Sequence, residues 1–164
     1  MTIDQKVIEQ RIEHFKQVCL NARVKLTRQR LDIFREVARS GDHPDAETVW
    51  KSVRKQAPNL SLDTVYRTLW LLNDLGLIKT LGSHHERTRF DANLSRHHHF
   101  ICTSCGLTKD FYSETFNNLP VPDDLSSVGA VETLQVEAHG ICSKCSALNR
   151  QHKQKPSVKE DYHE

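Results

Sequence analysis

Apolar positions at helical spacing open the chain. Ile8, Ile12, Phe15, Val18 and Cys19 share one stripe and predict an amphipathic helix over the first twenty residues. Thr27 then precedes RQRLDIFREVARS, in which Leu31, Phe34, Val37 and Ala38 make one face, so an N-capped second helix is expected, with Gly41 past its end. Asp45 can cap a third helix that carries Val49, Trp50 and Val53 and stops before Pro58. Ser61 can cap a fourth, SLDTVYRTLWLLNDLG, with Leu62, Val65, Leu69 and Leu72 inward and Gly76 at its end. Three helices on short turns match a helix-turn-helix core. The period then shortens: LIKTL, a turn-like GSHHE and RTRFD predict a hairpin, which completes a winged helix.

The second half has a different pattern. HFIC, LTKDF and ETLQVEAHG predict short strands, separated by a cysteine knuckle and by SETFNNLPVPDDLSSVG, which has room for one short helix interrupted by Pro120 and Pro122. From Gln151 onward no apolar pattern remains. The expected fold class is therefore α+β: a winged helix-turn-helix domain over residues 1–90, a small α+β domain over 91–150 and a flexible tail over 151–164.

Composition narrows the chemistry. No apolar run approaches the roughly 18 residues of a membrane span, and MTIDQKVIEQ lacks the apolar stretch of a secretory signal, so a cytoplasmic protein with no membrane partner is expected. In a reducing compartment five cysteines, four of them in pairs, point to metal or thiol chemistry more than to disulfides. Residues 1–90 hold 16 Lys/Arg against 11 Asp/Glu, a net of +5, whereas residues 91–164 hold 7 against 10, a net of −3. That split suits a first half that meets a polyanion. The fourth helix presents Asp63, Tyr66, Arg67 and Trp70 outward; Arg67 and Tyr66 can read base edges in a major groove, and Arg28 and Arg30, at the start of the second helix, can sit on phosphates. An ordinary solvated helix face is the plain alternative.

RHHHFICTSC packs three histidines and two cysteines into ten positions, which raises the question of one metal or two. Cys102-x2-Cys105 and Cys142-x2-Cys145 are knuckles of identical spacing with 36 residues between them, the donor set of a closed structural Zn2+ site. A redox CxxC needs only one pair, and an iron-sulfur cluster can use the same sulfurs. In an extended segment His97 and His99 face one side and His98 the other. Two imidazoles on one face can bind a second ion if joined by further donors, for which His43, Asp91 and Asp110 are candidates suited to Fe2+, Mn2+ or Zn2+. Histidines on a solvated strand are the plain alternative.

KLTRQRLDIF, HPDAETVW, LDTVYRTLWLLNDLGLI, TRFD, HHHFICTSCG and GICSKC succeed one another between about Val24 and Cys145, and in that order they resemble the ferric uptake regulator family of metal-dependent bacterial repressors. The resemblance implies a homodimer on double-stranded operator DNA, with an N-terminal winged helix, a C-terminal dimerisation domain, a structural zinc on Cys102, Cys105, Cys142 and Cys145, and a regulatory Fe2+ or Mn2+ on His43, Asp91, His97, His99 and Asp110. It also implies base contacts by Tyr66 and Arg67 and a minor-groove contact by Lys25. Asp110 resembles the peroxide-sensing branch, where the iron-sensing branch usually has Glu, and Asp91 is seen in the peroxide branch; Arg67 after Tyr66 looks more like the iron branch. Arg96 and Leu134 stand where a third metal site of the family would want histidines, and His139 where an aromatic is common. In the peroxide branch iron chemistry oxidises a ligand histidine, here His43 or His97. The expected function is thus a non-enzymatic repressor whose one small-molecule partner is hydrogen peroxide. The alternatives are an iron-, zinc- or manganese-sensing repressor without peroxide chemistry and, more distantly, a zinc hydrolase, for which no HExxH run is present.

Overall fold

Side-chain caps fix the helix starts that the sequence marks. Thr27, Asp45 and Ser61 each accept from the backbone N–H three residues on, at 3.3 Å from Arg30, 2.7 Å from Thr48 and 3.1 Å from Thr64. They open α2 (Arg28–Arg39), α3 (Ala46–Val53) and α4 (Leu62–Asp74); α1 (Gln5–Asn21) comes after Asp4, whose carboxylate accepts from the Lys6 N–H. The computed structural model describes residues 3–81 and 88–153. α4 ends where the backbone turns left-handed at Gly76, φ +67°. There the Gly76 N–H reaches the Asn73 carbonyl and the Leu77 N–H the Leu72 carbonyl, each at 2.9 Å, satisfying carbonyls that the helix leaves open.

The apolar stripes meet in one core. Phe15 of α1 stacks on Phe34 of α2 with ring centroids 4.7 Å apart, and Val37, Val49, Val65, Leu69, Leu72, Leu77 and Ile78 pack with them. Ile33 is fully buried although it stands outside the predicted face, and Leu31, placed on that face, is only half-buried. The predicted hairpin is β1 (Lys79–Leu81) against β2 (Arg89–Asp91), antiparallel with Thr80 opposite Phe90. The expected GSHHE turn lies outside the described residues. Phe90 is buried and meets the Trp70 ring edge-on at 6.3 Å, which ties the hairpin to α4.

Two compact units divide between Arg96 and His97, so Asp91 belongs to the first. In the second, β3 (His98–Cys102) lies between β4 (Thr108–Phe111), antiparallel, and β5 (Glu137–Gly140), parallel. Parallel pairing needs a crossover, and residues 112–136 supply it with the one-turn α5 (Glu114–Asn117) and a 3-10 turn at Asp123–Ser127, on either side of Pro120 and Pro122. β5 takes up only the last part of ETLQVEAHG. α6 (Ser143–Lys153) begins inside the second knuckle and runs into the first residues of the expected tail, of which 154–164 lie outside the described residues.

The interior of this unit is chemically unusual. Among the described residues its buried side chains are His97, His98, His99, Cys102, Thr108 and Cys142, with no buried Leu, Ile, Val or Phe. Among the described residues no helix is long and apolar enough to cross a membrane.

Candidate functional site

The two knuckles bring four sulfurs together. All four cysteine sulfurs lie within 4.8 Å of one another, and Cys105 Sγ is 3.8 Å from Cys142 Sγ. Four donors at the usual zinc-sulfur length of about 2.3 Å in a tetrahedron have edges of about 3.8 Å, so the spacing fits the ion. Local backbone builds the arrangement: Gly106, at φ +70°, lets the chain fold back so that its N–H reaches the Cys102 carbonyl at 2.8 Å. Thr103 ties the knuckles together by donating to the Gly140 carbonyl from its N–H at 2.8 Å and its hydroxyl at 3.2 Å. The Cys142 N–H, 3.3 Å from Cys102 Sγ, and then the Cys105 N–H hold the Cys102 thiol down to about 6, where a thiol ordinarily titrates near 9. Cys145 is pushed up to about 12: a Ser104 side-chain hydrogen bond opposes the rise, but bonds to the Cys105 and Cys142 sulfurs outweigh it. The cluster stabilises its first negative charge and resists its last. A bound cation would remove that resistance.

In the first unit His43 and Asp91 form a buried pair, with His43 Nε2 3.6 Å from Asp91 Oδ1. His43 adopts φ +49°, a sparsely populated conformation for a residue with a side chain, directly before Pro44. The hairpin holds it there. Arg89 Nη1 donates to the His43 carbonyl at 3.1 Å, and the Phe90 N–H donates to the Pro44 carbonyl at 3.0 Å. Backbone strain of this kind gathers at functional positions. Sequence reasoning missed Arg89, because its contact is with a backbone carbonyl 46 residues away and leaves no local signal.

In the second unit the strand alternation holds. His97 and His99 turn their Nε2 atoms to 2.9 Å from each other, and Asp110, opposite His99 on β4, places Oδ1 3.7 Å from each. The His98 ring points the other way, between Phe111 and Phe116 at 5.4 and 5.6 Å. Two nitrogens bound to one ion at about 2.1 Å and at right angles would be about 3.0 Å apart, so this pair also fits a shared ligand. Gln135, absent from the sequence-level candidates, places Nε2 3.2 Å from His99 Nδ1 and 3.4 Å from the His97 carbonyl.

The outward face of α4 is open. Tyr66 and Trp70 are exposed, and Arg67 pairs with Asp63 one turn back at 3.0 Å, both largely solvated. An exposed i,i+4 pair is worth a few tenths of a kcal/mol, so Arg67 can exchange Asp63 for another partner at little cost. Arg28 is held in the same way by Asp32 at 2.8 Å, and Arg30 donates to the Lys25 carbonyl, bracing the exposed Lys25 segment ahead of α2. A cavity of about 310 Å³ opens between the start of α2 and α4, lined by Thr27, Gln29, Arg30, Thr64, Arg67, Thr68 and Leu71. Two guanidinium residues and three hydroxyls on one concave surface suit a phosphate backbone.

A winged helix whose fourth helix presents Tyr66 and Arg67 to solvent, joined to a small sheet unit rich in thiol and imidazole donors, defines a class of metal-responsive regulator. Residues 21–121 match the model of the ferric uptake regulator family, and the chain belongs to that family. It is 30% identical over 145 residues to the peroxide-responsive repressor PerR of Staphylococcus aureus, a match covering 88% of this chain and 98% of that protein. Among solved structures, the Helicobacter pylori ferric uptake regulator Fur superposes with a TM-score of 0.69 at 22% identity, over 89% of this chain and 97% of that one. The Campylobacter jejuni peroxide stress regulator gives 0.59 at 26% identity, over 82% and 98%.

Proposed function

We propose that the chain is a cytoplasmic, homodimeric, metal-dependent repressor that binds operator DNA through residues 1–90, dimerises and binds metal through 91–150, and releases DNA in response to hydrogen peroxide. The carrying observation is donor chemistry. An all-sulfur set, Cys102, Cys105, Cys142 and Cys145, stands beside separate imidazole-carboxylate sets, His43 with Asp91 and His97 with His99 and Asp110. Thiolates select zinc, whereas nitrogen and oxygen donors accept Fe2+ or Mn2+. The relative at 30% identity is a peroxide-responsive repressor, which supports the peroxide reading over plain iron sensing. Exposed Tyr112, Val128 and Ile141 give the second unit apolar surface for a second copy of the chain.

In this reading His97, His99 and Asp110 hold the regulatory ion from the second unit and His43 and Asp91 from the first. Asp91 and His97 are six residues apart in the chain. His43, fixed by Arg89, carries the position of the winged helix with it. An ion favours one arrangement of two units only through donors that the other arrangement lacks, and His43 is such a donor. Tyr66 and Arg67 then address base edges, Arg28 and Arg30 phosphates, and Lys25 the minor groove. Bound Fe2+ supplies redox chemistry towards peroxide, with His43 and His97 as the side chains exposed to oxidation; bound Mn2+ supplies the same ligation without it.

The test loads the zinc-replete protein separately with Fe2+, Mn2+ and Zn2+ under anaerobic conditions and measures operator binding before and after peroxide. The iron form should lose binding and gain oxygen on a peptide containing His43 or His97, while the manganese form keeps its binding. Loss of binding with unmodified peptides would favour iron sensing. DNA binding indifferent to all three metals would overturn the reading altogether.

A further inference from the structure

α1 ends on a residue that suits its position badly. The last turn closes with the Ala22 N–H on the Val18 carbonyl at 2.9 Å, the Arg23 N–H on the Leu20 carbonyl at 3.1 Å and the Val24 N–H on the Cys19 carbonyl at 2.9 Å. A stop of that pattern needs one residue in the left-handed region, the position that glycine ordinarily fills. Here it is Arg23, at φ +54°. The turn cannot slide to spare it, because Cys19 on one side is buried and Val24 on the other packs against the core of the first unit. A left-handed backbone disfavours any residue with a Cβ, so the fold by itself would be better served by Gly.

The side chain adds no contact within the fold. Arg23 is exposed, and its guanidinium has no hydrogen-bond or ion-pair partner among the described residues. The surroundings show what it can meet. Residues 23–30 hold Arg23, Lys25, Arg28 and Arg30 and no Asp or Glu. Arg28 is occupied by Asp32 at 2.8 Å and Arg30 by the Lys25 carbonyl, which leaves Arg23 and the exposed Lys25 as the cations of this segment whose side chains have no internal partner among the described residues. Backbone strain kept for a solvated charge points to an external anion. We infer that Arg23 contacts DNA: its guanidinium seats on a backbone phosphate at the wall of the minor groove that Lys25 enters. The inference rests on the DNA-binding reading above and adds a residue to it. Arg23 and Lys25 are two positions apart, at most about 7 Å along the chain, and a minor groove is about 6 Å wide, so a residue beside Lys25 has a phosphate within reach of its side chain. Such a contact is independent of sequence; it sets grip and register, not base preference.

The test uses the zinc-replete, Mn2+-loaded protein and a mixed-sequence DNA duplex, since a phosphate contact needs no particular operator, in fluorescence-anisotropy titrations across a salt series. Arg23→Gly is expected to bind about 5- to 10-fold more weakly at low salt and to flatten the salt dependence by about one phosphate contact per chain bound, whereas Arg23→Lys keeps most of both. Lys6→Gln, which removes the same charge from the exposed far end of α1, should change affinity by less than about 2-fold and controls for net charge. Tryptophan-monitored melting supplies the second readout: Arg23→Gly should raise the midpoint by about 2–5 °C, because the left-handed turn is relieved. Weaker binding by a more stable protein cannot come from unfolding. Native affinity in Arg23→Gly, an equal loss in Lys6→Gln, or a lowered midpoint would each overturn the inference. A native protein with no salt-dependent affinity for the duplex would instead sink the DNA-binding reading, and this contact with it.

Discussion

Replacing Cys102 by serine removes one of four sulfurs and leaves a hydroxyl that ligates zinc poorly at neutral pH. The damage depends on what else holds the second unit. Its half-buried apolar side chains, Phe100, Ile101, Phe111 and Phe116, contribute about 1 kcal/mol each, taken as half of the ~1.5–3 kcal/mol for full burial. A structural zinc site in a small domain is worth ~10–16 kcal/mol. The ion is therefore the larger stabiliser, and its loss is as large as the whole stability margin of a typical domain, about 5–15 kcal/mol. The first unit has its own core and should not respond. The two can be separated optically, because both tryptophans, Trp50 and Trp70, belong to the first unit. In Cys102→Ser, urea unfolding monitored by tryptophan fluorescence should shift by less than about 0.5 kcal/mol. Hydrogen exchange should instead lose all protection at the His99 N–H, bonded to Val136, and at the Cys102-position N–H, bonded to Leu107. Slow exchange at those two amides in a zinc-free variant would refute the reasoning, since the sheet would then be shown to stand without its ion.

Other consequences are quicker to check. His43→Ala should leave both units folded but reduce the metal-induced gain in operator affinity, ordinarily about 5–150-fold for allosteric coupling, to almost nothing in a fluorescence-anisotropy titration. Arg67→Ala should cost ~1–3 kcal/mol of operator binding and relax preference at one base position, whereas Arg28→Ala should weaken all sequences alike and flatten the salt dependence by about one phosphate contact. Gly76→Ala meets no atom within 4 Å of the added methyl, so its cost is purely that of a left-handed backbone, ~1–2 kcal/mol in the tryptophan-monitored transition.

The local half of the structure was legible because its signals are local. Thr27, Asp45 and Ser61 announce helix starts by a side-chain oxygen that must lie near the N–H three residues on, and period-two alternation puts His97 and His99 on one side of β3 whatever surrounds the strand. Ile33 escaped because α2 is covered on more than one side, by α1, α3 and α4, so its buried face is wider than a single stripe. ETLQ looked like strand, but those residues end the crossover that parallel pairing requires, and pairing begins only at Glu137. Arg89 and Gln135 were invisible for another reason. Each acts through a backbone carbonyl or ring nitrogen far away in sequence, and neither residue type is unusual where it stands.

The two donor sets differ in more than chemistry. All four cysteines fall after Arg96, within one unit, so an ion bound there can stabilise that unit but has no purchase on its relation to the other. The imidazole and carboxylate donors are divided by the same boundary, with His43 and Asp91 before it and His97, His99 and Asp110 after it. On the proposed reading, an ion held by the second unit's three donors alone would gain only part of its binding free energy. The remainder would be released when His43 and Asp91 joined, and would be the upper limit of what metal could do to DNA affinity. Linkage makes the limit testable from the opposite side: saturating operator DNA must raise Mn2+ affinity by the factor by which Mn2+ raises DNA affinity, and His43→Ala must erase both together. A variant that lost one effect and kept the other would mean that the ion reaches the DNA-binding surface by a route that does not pass through His43.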